Sequence, residues 1–430
     1  MDSSTLADRI RAIVGPRCAG IAAERDPAPI PADPFAPAEH PRQLHGVEQV
    51  LGGEWRAGAG ASCFIVERRR DRASSYGDET VGALADRLQA AAAEAPLVAG
   101  GAQARLPFVF VDLETTGLSG GAGTYAFLVG CGWCDEDGGF VTRQFMLTRF
   151  ADERALLSAL TAELAGAGAL VSFNGKSFDA PVLETRYLFH RLQPPGSGLP
   201  HLDVLHPARR FWRDEQEVST CSLVSLERQI LGARRVGDVP GFEIPGRYYH
   251  FIRSGDARPL APVLEHNRLD LLSLAGLTAR LLHLVRGGPG AARNARETLA
   301  LGRVYARAGL EARARDAFQR AADRASTSGA IQVDSLRALA LAWRRARRYD
   351  DAAGCWRAVL DAPACPRHVA REATEALAIH HEHRVRDLAA ARAFALRSLE
   401  SGTRPASHAA VRHRLARIER KMGSPRLFAG

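Results

Sequence analysis

Phe108 to Thr116 reads FVFVDLETT, an apolar run that ends on two acids, Asp112 and Glu114, two residues apart. On a strand that spacing sends both side chains to one face. The apolar residues around them predict a strand inside a sheet rather than at its edge. Two acids placed there repel each other and lose hydration unless a positive charge sits between them. A divalent cation is the usual remedy, and an all-oxygen donor set suits Mg²⁺ or Mn²⁺.

At 430 residues the chain exceeds what one hydrophobic core normally serves, so more than one domain is expected. No run approaches the roughly 18 apolar residues of a membrane span. The start, MDSSTLADRI, lacks the basic-then-apolar pattern of a secretory signal. The expectation is a soluble, cytoplasmic protein with no membrane partner. Seven cysteines, odd in number and scattered, do not form a disulfide framework. Cys131 and Cys134 make a CxxC inside a strand-like segment, with no second pair to complete a zinc site.

Residues 1–45 hold a short amphipathic segment (5–14) and an arm with six prolines between Arg25 and Pro41. Residues 46–104 form an N-terminal extension with a strand candidate at Ser62–Val66. From 105 to 286 the pattern becomes orderly. Strands are predicted at 107–113, 124–133, 139–147, 169–173 and 200–204, with helices at 152–165 and 179–192. Three antiparallel strands followed by alternating helix and strand describe an α/β fold on a mixed sheet. The stretch LSGGAGTY is expected to form the hairpin after the first of these strands. Arg286-Gly287-Gly288-Pro289-Gly290 punctuates the chain. Residues 291–425 then repeat with a period of 38: Ala300/Ala338/Ala376, Leu301/Leu339/Leu377, Tyr305/Trp343/His381, Ala314/Ala352/Ala390 and Phe318/Trp356/Phe394. Small residues where helices cross and aromatics in the gaps describe stacked helix-turn-helix units, which look like tetratricopeptide repeats.

Two further acids complete a set. Asp179 follows an apolar strand and the Asn174-Gly175 turn in SFNGKSFDAP, where helix capping is the competing role. Asp270 lies in the helical LEHNRLDLLSLAGL, with His266 four residues earlier on the same face. In that order the motifs resemble the DEDD exonuclease superfamily. Asp112 and Glu114 match its D-x-E strand, Asn174 to Asp179 its second motif with one extra residue, and Asp270 its final helical Asp. The segments HLDVLHPARRFW, CSLVSLERQILGARRVGDVPGFEIPGRYY and EHNRLDLLSLAGL look like the YprB-type branch, in which such a domain also precedes helical repeats. The resemblance implies a ribonuclease-H-like mixed sheet flanked by helices, followed by an all-α helical-repeat domain.

It also implies a metal-dependent 3′→5′ exonuclease. Asp112, Glu114, Asp179 and Asp270 would hold two Mg²⁺ or Mn²⁺ ions, which activate a water and stabilise the leaving oxygen. One branch of the superfamily places Tyr four residues before the last Asp, the other His five before it. Here His266 has the first spacing and Glu265 the second. His266 is the better base, because a neutral imidazole accepts a proton near pH 7. Asp203, ending a strand-like segment, could in the YprB-type branch sit near the metals, and reads equally as a helix cap. Lys176 and Arg186 flank the second motif, where solvated surface charge is the simpler reading. An endonuclease on the same fold, or a non-catalytic scaffold whose repeats bind nucleic acid or a protein partner, are the rivals.

Charge is unevenly spread. Residues 291–430 carry 27 Lys and Arg against 14 Asp and Glu, a balance of +13, which leaves −4 for residues 1–290 out of the chain's +9. Arg344, Arg345, Arg347 and Arg348 crowd one turn of the tail; Arg412, Arg414, Arg417, Arg420 and Lys421 crowd its last helix. Such a surface could guide DNA or RNA to an acidic site, or simply solvate the repeats.

Overall fold

Alternation in β5 (Phe108–Thr115) sorts the architecture into two layers. Val109, Val111 and Leu113 turn to one side of the sheet and Phe108 and Phe110 to the other, and each set joins a separate core. The computed structural model describes residues 46–57, 62–117, 123–195, 198–213, 221–325, 329–363, 365–400 and 405–423. The amphipathic segment 5–14, the proline-rich arm and most of the glycine-rich LSGGAGTY stretch lie outside them.

The chain enters through α1 (Val47–Leu51), β1 (Glu54–Ala57) and β2 (Ser62–Arg70). The strand candidate at Ser62–Val66 thus runs on to Arg70 and belongs to the main sheet, paired with β7 (Phe140–Met146). A ribbon of β3 (Ser75–Tyr76) and β4 (Glu79–Thr80) feeds α2 (Val81–Ala91), where the Thr80 hydroxyl accepts from the Ala83 amide at 3.2 Å. The short α3 (Ala95–Val98) precedes β5. After β5 come β6 (Ala126–Cys134), β7, α4 (Glu153–Leu164), β8 (Ala169–Ser172), α5 (Asp179–Phe189), β9 (His201–Asp203), α6 (Leu205–Trp212), α7 (Leu223–Leu226), α8 (Ile244–Ser254) and the long α9 (Ala261–Gly287).

The sheet has seven strands in the order β1-β2-β7-β6-β5-β8-β9. Pairing is antiparallel from β1 to β5 and parallel from β5 through β8 to β9. β5 therefore has neighbours on both sides, which explains its nearly continuous apolar sequence. Helices α4, α5 and α8 join one core, with Val263 and Leu264 of α9, and α2 and the rest of α9 join the other. The architecture is a mixed sheet flanked by helices, followed by a helical region.

That region comprises α10 (Ala295–Arg307), α11 (Glu311–Arg324), α12 (Gly329–Arg345), α13 (Tyr349–Asp361), α14 (Arg367–His380), α15 (Leu388–Glu400) and α16 (Pro405–Gly423). The 38-residue columns fall on equivalent helices: Ala300, Ala338 and Ala376 on α10, α12 and α14, and Ala314, Ala352 and Ala390 on α11, α13 and α15. His381, which breaks the aromatic column, stacks its ring on Phe394 at 5.4 Å. An imidazole thus supplies the flat ring at that place.

Among the described residues no helix is long and apolar enough to cross a membrane. The six described cysteines are free. Cys131 and Cys134 stand on β6, where burial pushes both thiols up, Cys134 to about 12, as suits inert packing residues.

Candidate functional site

Asp112 and Glu114 continue the face of β5 begun by Phe108 and Phe110, which packs against α9. The apolar alternation thus ends by aiming two carboxylates at that helix. Opposite Asp112 on β6 stands Gly130. A Cβ there would come within 2.2 Å of the Asn267 side chain, so the missing side chain is what lets α9 lie this close to the sheet. Asn267 uses the approach: its Nδ2 donates to Asp112 Oδ2 at 2.8 Å, while its Oδ1 accepts from Gln144 Nε2 at 2.8 Å. Asp112 is therefore held from behind by an amide relay.

Asp179 opens α5, and Asp270 lies on α9 three residues after Asn267. The four carboxylates, from three elements, feel one another. Asp112 is raised well above its ordinary range by burial and by Asp270, Glu114 and Asp179, against the opposing hydrogen bond from Asn267. Burial, then Asp270 and Asp179, push Glu114 up to about 8. Burial and nearby Asp203 bring Asp179 to about 7. Each keeps some contact with solvent, so the group lines a cleft instead of a sealed cavity.

His266 turns to the same place. Its Nδ1 lies 2.7 Å from Asp238 Oδ1 and its Nε2 3.5 Å from Asp270 Oδ2. An ionised Asp238 can only accept, which assigns the proton to Nδ1 and leaves Nε2 bare in the neutral ring. Burial acts to raise Asp238, yet the His266 hydrogen bond holds it below the usual carboxylate value.

Arg235 belongs to this cluster, and sequence reasoning missed it. Its buried guanidinium reaches Asp270 Oδ1 at 2.5 Å, Glu227 Oε2 at 2.7 Å and Asp238 Oδ2 at 3.2 Å. Ser273 Oγ, in contact with Tyr76 OH at 2.6 Å, donates to Glu227 at 2.6 Å and completes the network. Burial raises Asp270; Arg235 and His266 pull it back part of the way. Neither Arg235 nor Asp238 carries a local signal, since both sit in an irregular segment between α7 and α8. Asn267 and Gln144 were missed too. Only Asn267 could have been found, because its spacing to Asp270 on a helix implies a shared face.

The other expected residues separate. Asp203 lies close enough to Asp179 to raise it, and its own oxygens accept from the amides of Asn174 (2.8 Å), Lys176 (3.1 Å) and Leu205 (3.1 Å). It fixes the turn before Asp179, where Asn174 adopts φ 68°. Lys176 is exposed. Arg186 corrects the reading of solvated charge. It is buried against Glu153, with Nε–Oε1 2.7 Å and Nη2–Oε2 2.5 Å, and stacks on Tyr125 and Phe189.

The donor set suits a hard divalent cation: four carboxylates and no thiolate, most of them lacking a compensating positive charge. Among the described residues no three His, Cys, Asp or Glu side chains already stand in caging geometry. Arg235 engages one oxygen of Asp270.

Residues 109–282 match the family model of the RNase_H superfamily. The uncharacterized protein YprB of Bacillus subtilis (strain 168) is 40% identical over 171 residues, covering 39% of this chain and 40% of that protein. The family B DNA polymerase of the archaeon Pyrobaculum calidifontis superposes over 46% of this chain and 29% of its own, at 15% identity and a TM-score of 0.33, too loose a likeness to bear on function. The matched residues span strands β5 to β9, five of the seven in the sheet, and end on α9, and all four carboxylates fall within them. Residues 109–282 are a domain of the RNase H superfamily.

Proposed function

We propose that this protein is a metal-dependent nuclease that hydrolyses phosphodiester bonds of DNA or RNA from the 3′ end, with Asp112, Glu114, Asp179 and Asp270 as the ligands of two Mg²⁺ or Mn²⁺ ions. The observation that carries the reading is the convergence of four mutually repelling carboxylates from β5, α5 and α9. The superfamily of the surrounding domain agrees with it. Bound divalent ions would acidify a water and offset the charge of the phosphoryl oxygens.

The chain's own groups have distinct work. Asn267 and Gln144 keep Asp112 from rotating away. Asp238 fixes the ring of His266, whose Nε2 can accept a proton from a water in the cleft. Arg235 limits repulsion around Asp270, so the cluster can persist before any cation arrives. Asp203 holds the turn that delivers Asp179.

The test is digestion of 5′-labelled DNA and RNA oligonucleotides with Mg²⁺ or Mn²⁺. A ladder shortening one nucleotide at a time from the 3′ end is expected, and internal fragments would mark an endonuclease instead. Asp112→Asn and Asp270→Asn should abolish cleavage. His266→Gln should slow it by roughly 10²–10⁴-fold, the usual worth of a general base. Undiminished cleavage by both Asn variants would refute the assignment. Calorimetric titration with Mn²⁺ that finds no carboxylate-dependent binding would favour the scaffold.

A further inference from the structure

Three turns of the helical region share one conformation. The turn that joins α10 to α11 contains Gly309 at φ 74°, the next hairpin has Arg347 at φ 59°, and the third has Arg386 at φ 61°. These positions lie 38 and then 39 residues apart, the additional residue being accommodated by the π-turn His381–Val385. Each is the left-handed residue that ends the first helix of a hairpin. Glycine adopts that conformation freely, whereas an arginine there is strained by its Cβ. In two of three hairpins the strained residue is nevertheless arginine.

Neither makes a structural contact that would account for it. Arg347 and Arg386 are exposed, and no ion pair or ring contact involves them among the described residues, nor Arg344 and Arg345 beside them. Of the acids on the same edge, one pairs with an arginine, one caps a helix and one stays exposed. Asp351 pairs with Arg348 at 2.7 Å, Asp387 Oδ1 accepts from the Ala390 amide at 2.9 Å, and Asp350 lies 3.6 Å from His380. Arg307, the repeat equivalent of Arg345, has Arg210 and Arg303 as neighbours; burial and these like charges draw its guanidinium below the ordinary value. Arg344, Arg345, Arg347 and Arg386 thus make the edge of the second and third hairpins rich in arginines that form no ion pair among the described residues, two of them kept at a cost in backbone strain.

We propose that this edge, through Arg345, Arg347 and Arg386, holds the phosphate backbone of the nucleic acid on which the nuclease domain acts. The inference rests on the nuclease reading. Adjacent helices pack roughly 8–10 Å apart, so successive hairpins set their turns within reach of one continuous strand. Guanidinium groups suit phosphate in geometry and charge, and nothing in the row requires a particular base.

The strain makes the experiment decisive. Arg347→Gly/Arg386→Gly removes both charges and relieves the backbone. The full-length variant should melt no lower than the wild type. Its binding to a fluorescein-labelled single strand and to the matching duplex, measured in EDTA so that nothing is cut, should weaken. The slope of log K against log salt should become shallower by about 0.7 per arginine for the single strand and about 0.9 for the duplex. Arg345→Gln, at a helical position, repeats the measurement without altering the turn. An unchanged salt slope in both variants overturns the proposal while leaving the nuclease reading intact. Displacement of the strand by polyglutamate as readily as by unlabelled strand overturns it in favour of an acidic protein. A wild type that binds neither nucleic acid in EDTA overturns the proposal, whereas the nuclease reading stands or falls on cleavage with Mg²⁺ or Mn²⁺.

Discussion

Arg235 shows how much of this site is decided by single side chains. One buried guanidinium answers Glu227, Asp238 and Asp270 together. Burial alone would lower its pKa; Asp270 and Glu227 more than reverse that and keep it charged. Replacing it by an apolar residue leaves three acids facing one another, and breaking a buried pair typically costs 3–5 kcal/mol. Arg235→Met should therefore lose about that much in urea unfolding, and adding Asp270→Asn should restore part of it. A single-variant loss within about 0.5 kcal/mol, the ordinary effect of a surface change, would mean that the pairing does not stabilise the fold. Asp203 teaches the same lesson in reverse. Its sequence position left a metal role and a cap equally open, whereas three backbone amides now account for its oxygens.

Among the elements, one acid gathers the basic groups of the last helix. Glu382 lies in the π-turn after α14, shielded from solvent. Its oxygens accept from Arg417 Nε and Nη2 at 2.7 Å each and from Lys421 Nζ at 2.8 Å, with Arg414 at 3.6 Å. Three residues of the basic run on α16 are thus committed to docking the helix, which removes them from any nucleic-acid surface. Arg417 above all holds the carboxyl at about 2, below the ordinary 4.5. The unfolded chain binds that proton more readily, so the stabilisation is complete above about pH 4.5 and is lost as pH falls towards 2. Glu382→Gln should cost about 1.5–3 kcal/mol at pH 7, the worth of charged hydrogen bonds. It should also flatten the acid side of a plot of thermal midpoint against pH. An acid limb as steep as the wild type's would show that Glu382 is not the group responsible.

For the whole molecule, the punctuation at Arg286–Gly290 is a tight turn through which the core continues. Leu277, Leu281 and Leu284 of α9 belong to the same cluster as Leu301, Val304 and Tyr305 of α10, which also contains Phe211 of α6. Buried Glu297 accepts from Trp212 Nε1 and Arg280 Nη2, both at 3.0 Å, and Tyr305 OH donates to Val285 O at 2.6 Å. A chain cut after Gly290 exposes that face of α9 and leaves Arg280 and Trp212 without their acceptor. It should be poorly soluble, and the intact protein should unfold across this junction in one calorimetric transition. A soluble truncated form with wild-type thermal midpoint would show that the sheet domain is independent of the helices.

Local pattern carried a large part of this protein. The alternation of FVFVDLETT announced an interior strand with two acids on one face, and the 38-residue columns announced paired helices, because periods of two and of 3.6 are properties of the backbone itself. The strands at β5 to β9 and both helices between them fall near their expected places for that reason. What pairs with what was not legible. Asn267 meets Asp112 across 155 positions, Arg235 meets Asp270 across 35 and Arg186 meets Glu153 across 33. A charge reads alike in sequence whether water or a buried partner answers it. Only folding decides which, since the cost of desolvation depends on what the rest of the chain brings alongside.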